Sequence, residues 1–589
     1  MKKHVVYVVG GSALVLFGLF LPHGWYDTLP QSKEALPSPP IKGVTLLQIV
    51  LLLEGLALIW LSTRRWRFVG LLPHERLSQT AASIEKQNIQ SSTSRWLLAT
   101  ITVGALLLRC VHLSADLWLD EITPILDYRN MPVVYVVTTY ISSNNHLLYT
   151  LFIKLAIALF GEHEWAVRLP AMLFGTATIP AIYWVSRLAL SRCGSLSVAL
   201  LLAVSYHHVF FSQNARGYTA YLLFSTLSTG LLVKGLQKDQ LRYWVLYVLS
   251  MFLDFASLLD SLFVFASHTF VGVVALIFIR RNGGSALPLA RRLAAIFTVT
   301  GVLVLNLYIT MAPQFYIYSK TIYRDPAAGF SPLSSDFLRE LARGLSAGFG
   351  ANFLIALVSF LIVSTTGCVT LLKRQFILTL GLALPGMLTA AFLLVQGLDF
   401  SPRFFLLWLP LAILVAVQGI YSLVVWLTAT LRVTAPLFAP RLAVVLVLIC
   451  AAISLLSLRH YYLVPKQSYR ASLRYIAAVR QPGEPIIAAY LSEYGCRFYG
   501  DRFGLKEGRD WFPVRSVESL DSILSMRQGN SSIVVTTFAR ALRISRPDLW
   551  HRISEGWALD RTFPATIGDG EISVWKERSG DRELKPYTN

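Results

Sequence analysis

"LLYTLFIKLAIALFG", residues 147–161, is the stretch on which the topology turns. It is apolar enough for lipid, yet it carries Lys154 and its apolar part runs for only about 14 residues, whereas a helix that crosses a bilayer needs about 17–25. Its length reads it as an interfacial or re-entrant helix rather than a crossing. Whether it crosses reverses the side of every later segment, so the basic loops can test the choice. With the N-terminus inside and 147–161 uncrossed, one side of the membrane collects "STRRWRF" with the polar stretch to Arg95, "SRLALSRCG", "KGLQKDQLR", "RRNGGSALPLARR", Lys373-Arg374 and 431–441. All are basic, as cytoplasmic loops should be. Counting 147–161 as a span would move "RRNGGSALPLARR" outside, so the short-helix reading stands.

Working outward, apolar runs of spanning length lie near 4–21, 44–62, 97–114, 167–188, 195–211, 218–236, 242–258, 262–280, 292–312, 350–372, 375–395, 403–427 and 440–458, or about thirteen spans. Hydrophobic residues make up 54% of the chain and charged ones 15%, against about 25% charged in soluble proteins. The fold class is therefore a polytopic α-helical membrane protein. The net charge of +20 sits in short loops between apolar runs, which reads as a topology signal rather than a nucleic-acid surface. Cys110, Cys193, Cys368, Cys450 and Cys496 show no CxxC spacing, so neither a zinc site nor a disulfide framework is indicated, and Cys496 reads as a free thiol. The first segment, "MKKHVVYVVGGSALVLFGLFL", is long enough for an anchor and lacks an obvious cleavage site.

Three regions follow. Residues 1–96 hold two N-terminal spans, a Pro-rich loop and a basic cytoplasmic linker. Residues 97–458 form the membrane core, with an external loop at 115–166. Residues 459–589 switch to soluble composition. There, helical spacing in 468–480 precedes the strand-like "EPIIAAYL" and "SSIVVTTF", which predicts a small extracytoplasmic α/β domain.

The same topology gathers the unusual polar residues on the outer side. "SADLWLDEIT" (114–123) carries Asp120 and Glu121 where an apolar run surfaces. "SSNNHLLY" carries His146, and "EHEWAVR" carries Arg168. "FFSQNARGYTAY" brings Gln213, Arg216 and Tyr218. "YRDPAAGF" brings Tyr323, Arg324 and Asp325, and "DFSPRFF" brings Asp399 and Arg403. Ionisable groups at the ends of membrane helices are costly unless paired or used. Plainer readings stand beside each: Asp120 as the N-cap of a helix starting at Glu121, Arg216 and Arg403 snorkelling to headgroups, Asp254 and Asp260 solubilising a hairpin. Tyr206, His207, His208 and Phe210-Phe211 read as packing, since no carboxylate follows at ligand spacing.

The order of these motifs resembles the dolichyl-phosphate-mannose protein mannosyltransferase family in its broad bacterial form, which includes the lipid A aminoarabinose transferases and shares the C-type glycosyltransferase fold. The resemblance is carried by "LWLDE", by "NNHLLYTLFIKLAIALFGEHEWAVRLPAMLFGTATIPAIYW", by "YHHVFFSQNARGYTAYLLF" and, more weakly, by "SPRFFLLWLP". It covers roughly 95–280. Asn144-Asn145-His146-Leu147 lacks the family's prolines, and the spans at 4–21 and 44–62 are additional.

What the resemblance implies is transfer of a single sugar from a polyprenyl-phosphate donor to an acceptor hydroxyl at the outer face of the cytoplasmic membrane. Asp120 is then the catalytic base, and the 147–161 helix is juxtamembrane. A lipid-linked sugar keeps its anomeric carbon at the headgroup plane, so a base belongs where a helix surfaces. For an inverting reaction one base suffices. Glu121 is expected to orient the acceptor or hold Arg168 or Arg216. Arg216 and Arg403 are expected to bind the donor phosphate, with Tyr323 and Arg324 as a clamp. His146, Gln213, Tyr218 and Arg168 are expected to line the substrate. No cofactor is demanded, although a divalent cation on Asp120 or Glu121 with His146 stays open. Besides membrane lipids, the partner is an acceptor that is a protein, a lipid or a glycan. The alternatives are a transporter or flippase, for which no two related halves with interrupted helices are seen, and a polymerase or ligase with a diphosphate-linked donor.

Overall fold

In the computed structural model the described residues are 2–21, 42–63, 91–140, 142, 144–322, 353–398, 400–432, 438–526 and 531–578. The linker at 64–90, Tyr323, Arg324, Asp325 and Asp399 lie outside them. Among the described residues eight helices are long and apolar enough to cross a membrane: Gly43–Trp60, Glu164–Ser186, Tyr218–Lys238, Ser261–Arg281, Leu287–Tyr308, Phe376–Gln396, Trp408–Thr430 and Phe438–Leu463. Arg192–Val204 and Tyr206–Ser212, bent by 59° across Ser205, make a ninth if taken as one span. The remaining runs expected to span are helical as well: Lys2–Phe20, Ser91–Cys110, Leu241–Ser257 and Phe353–Arg374. The protein is a multi-pass helical membrane protein, and helices are what lipid permits, because each satisfies its own backbone polar groups.

Six helices frame the site. These are α1 (Ser91–Cys110), α2 (Leu119–Tyr128), α3 (Leu147–Phe160), α4 (Glu164–Ser186), α5 (Tyr206–Ser212) and α6 (Tyr218–Lys238). At 14 residues α3 reaches about 21 Å, short of the roughly 30 Å hydrocarbon layer. Lys154 does not disturb it. Its ammonium donates to the carbonyls of Tyr128, Arg129 and Met131 at 3.0, 3.1 and 2.6 Å, capping the end of α2. Asp254, expected at a solubilised hairpin, is instead fully buried and accepts from Ser225 Oγ at 2.8 Å.

Beyond the last membrane helix the chain builds a five-stranded sheet in the order β2-β1-β3-β5-β4. The strands are β1 (Ile486–Ala489), β2 (Trp511–Val514), β3 (Ile533–Thr537), β4 (Trp557–Phe563) and β5 (Ile572–Glu577). β1 pairs in parallel with β2 and β3, while β5 runs antiparallel to β3 and β4. β1 and β3 are buried on both faces, as strands covered by helices on each side must be. Ile487 and Val534 pack on one side with Leu520, Leu549 and Ile553. Ile486, Ala488 and Val535 face the other way, into a layer with Leu473 and Tyr499. That second layer does not stop at the domain edge: Leu117, Ile122, Ile125, Tyr149 and Val167 of the membrane core belong to the same apolar cluster. Polar contacts pin the seam. Leu117 N–H donates to Tyr499 Oη at 2.8 Å and Leu119 N–H to Gln467 Oε1 at 2.8 Å, while Arg470 pairs with Asp116 and Arg502 with Glu164.

Candidate active site

The two adjacent carboxylates part company because neighbouring residues on a helix point about 100° apart. Glu121 turns inward and is fully buried. Its Oε2 accepts the Trp118 backbone N–H at 3.2 Å, closing the first turn of α2. Arg168 grips both carboxylate oxygens, Nε to Oε1 at 2.8 Å and Nη2 to Oε2 at 2.6 Å. The other guanidinium hydrogens go to the carbonyls of Leu113, Ala115 and Asp116. All five donors of Arg168 are thereby used. Burial pushes the Glu121 carboxyl up, but the cations of Arg168 and Lys466 and the hydrogen bonds from Arg168 and Ala215 outweigh it and hold it below its ordinary value. Glu121 and Arg168 are therefore a buried strut: of the roles expected for Glu121 the structure shows it holding Arg168, and since neither residue has an atom left for substrate, Glu121 as acceptor-orienting and Arg168 as substrate-lining are corrected.

Asp120 turns outward, with 16% of its side chain exposed. Its Oδ2 is paired with Arg216 Nη1 and lies 3.5 Å from Arg403 Nη1. Asp120, Arg216 and Arg403, nominated separately along the sequence, thus share one spot. They come from the start of α2, from the turn between α5 and α6, and from the short 3-10 helix Pro402–Phe405.

Arg216 is aimed by a closely held turn. The Ala215 N–H donates to Glu121 Oε1 at 2.6 Å, and Gln213 Nε2 donates to the carbonyls of Arg109, at 2.8 Å, and Val111. The Gly217 N–H donates to His146 Nδ1 at 3.0 Å, and His146 Nε2 lies 3.0 Å from Arg216 Nη2. Burial, then the cations of Arg216 and Arg403, pull the His146 imidazole well below its ordinary value and keep it neutral. Gly217 sits where a Cβ would come within 2.6 Å of the Ser257 carbonyl and 2.8 Å of the His146 ring. Gln213 and His146 thus support the turn rather than line the substrate, a second correction.

On the Arg403 side of the cluster opens a cavity of about 270 Å³. Trp118, Tyr206, Phe210, Asn214, Tyr218 and Arg403 line it, and Thr566 and Ile567 of the C-terminal domain close it. Tyr218 is the expected substrate residue that does face it. Trp118 Nε1 donates to Asn214 Oδ1 at 3.2 Å, leaving Asn214 Nδ2 without a partner among the described residues. Arg216 Nε and Arg403 Nε are buried and unpartnered as well. Such orphaned donors are rare unless a ligand answers them. Sequence reasoning missed Trp118, Asn214, Thr566 and Ile567, and it read Tyr206 and Phe210 as packing. Trp118 was within reach, two residues from Asp120. Nothing in the chain marks the loop at 566–567.

Among the described residues no three His, Cys, Asp or Glu side chains gather for a metal ion. Of the residues expected for a divalent cation, Glu121 is held by Arg168 and His146 Nδ1 accepts the Gly217 N–H, while Asp120 is the carboxylate that stays partly open.

Residues 145–309 match the family described as dolichyl-phosphate-mannose-protein mannosyltransferase. No curated protein sequence matches the chain significantly. Among solved structures, ArnT from Cupriavidus metallidurans bound to undecaprenyl phosphate is similar at 13% identity, over 83% of this chain and 98% of that one, with a TM-score of 0.46. The apo oligosaccharyltransferase of Archaeoglobus fulgidus is similar at 10% identity, over 77% and 70%, with a TM-score of 0.47. The arabinosyltransferase EmbB from Mycobacterium smegmatis is similar at 13% identity, over 72% and 45%, with a TM-score of 0.39. The segment that matches this membrane glycosyltransferase family, 145–309, holds His146, Arg168 and the Arg216 turn.

Proposed function

We propose that this protein transfers a single sugar from a polyprenyl-phosphate donor to an acceptor hydroxyl, with inversion, at the outer face of the cytoplasmic membrane. The carrying observation is the Asp120 carboxylate clasped by Arg216 and Arg403 at an aromatic cavity. In the resting site the one carboxylate is shared between two cations, which leaves one positive charge uncompensated. An arriving phosphate offers them more oxygens in a geometry suited to the guanidinium fork, and draws them away from Asp120. The freed carboxylate takes the proton of the acceptor hydroxyl as its oxygen attacks the anomeric carbon. The bond from that carbon to the phosphate oxygen breaks, and the electron pair leaves with polyprenyl phosphate, whose growing charge the arginines stabilise. The aromatic walls and the free Asn214 amide suit a pyranose ring, whose C–H face stacks while its hydroxyls accept.

Basic loops on one side of the core support a cytoplasmic N-terminus and an external domain at 459–589, following the core at 97–458 and the N-terminal region at 1–96. Tyr323 and Arg324 keep their proposed place as a clamp on the donor. The acceptor is a protein, lipid or glycan of the cell envelope.

The test is release of polyprenyl phosphate by the purified protein from a panel of polyprenyl-phosphate sugars with envelope acceptors. Asp120→Asn is expected to lower turnover by about 10²–10⁴-fold. Equal turnover in both proteins would place the base elsewhere.

A further inference from the structure

Lys466 enters the site from the far end of the chain. It lies in "VPKQSYR" (464–470), the connection from Phe438–Leu463 to the first helix of the C-terminal domain, Tyr469–Val479. The residues beside it fasten the two parts together. Gln467 receives the Leu119 N–H and donates to Thr537 Oγ1 at 2.9 Å and to the Gly570 carbonyl at 3.1 Å, and the Arg470 backbone N–H donates to Asp116 Oδ2 at 2.7 Å. Lys466 itself is 3% exposed. Its ammonium donates to the Gln213 carbonyl at 2.5 Å, lies 3.7 Å from Glu121 Oε1 and sits 4.9 Å over the Phe210 ring.

An enclosed ammonium is costly unless its charge is used. Here the use is visible in what it touches. The turn that carries Arg216 is held at Gln213 by Lys466 and at Ala215 by Glu121. We infer that Lys466 is a positioning residue for the transfer: it joins the C-terminal domain to the Gln213–Arg216 turn and keeps Arg216 aimed at Asp120 and the donor phosphate. This rests on the glycosyltransferase reading of the site.

The charged groups that face Lys466 are Glu121 from α2 and Arg168 from α4. Burial pulls the ammonium down to about 7, against the attraction of Glu121 and with the help of Arg168. Lys466 thus gives up its proton at a lower pH than an exposed lysine does. As pH rises through that value the charge facing Glu121 and the Gln213 carbonyl is lost.

The test uses the full-length protein, Lys466→Met and Lys466→Arg, read by kcat and KM for a polyprenyl-phosphate sugar, by pH profile between about 5.5 and 8.5 around the ordinary range of the groups involved, and by thermal unfolding. Lys466→Met is expected to lower kcat by up to about 100-fold, the scale of a small misplacement of a catalytic group. Lys466→Arg, which stays charged, is expected to recover most of it and to lose the decline that the wild type shows as pH rises through 7. Wild-type kcat and pH profile in Lys466→Met would overturn the positioning role alone. Should Lys466→Met fail to fold, a Lys466→Arg profile identical to the wild type would overturn it equally. Absence of wild-type turnover with every donor would overturn the underlying reading and this role with it.

Discussion

Asp120 and Glu121 show how one residue's step along a helix separates a partly open carboxylate from a closed one. Asp120 has a partly open carboxylate held by cations that a phosphate can draw off, and Glu121 has a closed one whose oxygens are spent. Substitutions at the two should therefore fail differently. Asp120→Asn is expected to fold normally and lose turnover, whereas Glu121→Gln leaves the Arg168 guanidinium buried without its counter-charge, a loss of about 3–5 kcal/mol. Thermal unfolding in detergent should show that loss for Glu121→Gln and none for Asp120→Asn. The pH dependence has a defined sign. Because the folded-state value of Glu121 is depressed, its stabilisation is present above the ordinary carboxylate range and is lost as pH falls through the folded value. The partly open position of Asp120 was legible in the sequence, since a carboxylate at the exit of an apolar run is unusual in a chain this poor in acids. The fate of Glu121 was not, because its partner lies 47 residues away and only the fold brings them together.

At the scale of elements, the turn between α5 and α6 is the device that presents Arg216. It exists because the run read as one span at 195–211 breaks at Ser205, whose extended backbone (φ −62°, ψ 128°) lets α5 start at a 59° angle. Hydropathy sees an unbroken apolar run there, so the bend was invisible to it, while the shortness of α3 was plain from counting residues. The fork geometry of Arg216 makes two predictions. Arg216→Lys keeps the charge but reaches only one oxygen, and is expected to cost about 10²-fold in kcat. Gly217→Ala keeps Arg216 but pushes a methyl into the His146 ring and the Ser257 carbonyl, and is expected to reduce kcat while leaving the protein membrane-inserted and folded. Steady-state kinetics beside a size-exclusion profile checks both. Wild-type kcat in Gly217→Ala would mean that the turn has slack the packing does not show.

For the whole molecule, a change to soluble composition after residue 458 suggested a domain that begins where the membrane core ends, but the apolar layer and the polar seam run through both. Composition locates such a change and says nothing about what the new segment packs against, so Lys466, Gln467 and Arg470 carried no signal in sequence. The consequence is that loosening the seam should be felt at the acidic turn rather than only within the domain. Tyr499→Phe removes the hydroxyl that accepts the buried Leu117 N–H, and an unsatisfied buried donor costs about 1–3 kcal/mol. Arg470→Ala removes the partner of Asp116 and the donor to the Ser114 carbonyl. Together they are expected to speed amide hydrogen exchange in 113–121 by at least about tenfold, since 1.4 kcal/mol corresponds to a factor of ten when opening is local. Helices distant from the seam, such as Ser261–Arg281, should exchange as in the wild type. A tethered accessory domain predicts the opposite: faster exchange confined to residues beyond 464, with 113–121 unchanged and kcat intact. Because Asp120 lies within the reporting segment and Arg216 is tied to it through Glu121 and Ala215, the loosened variant should also lose turnover in step with the exchange rate.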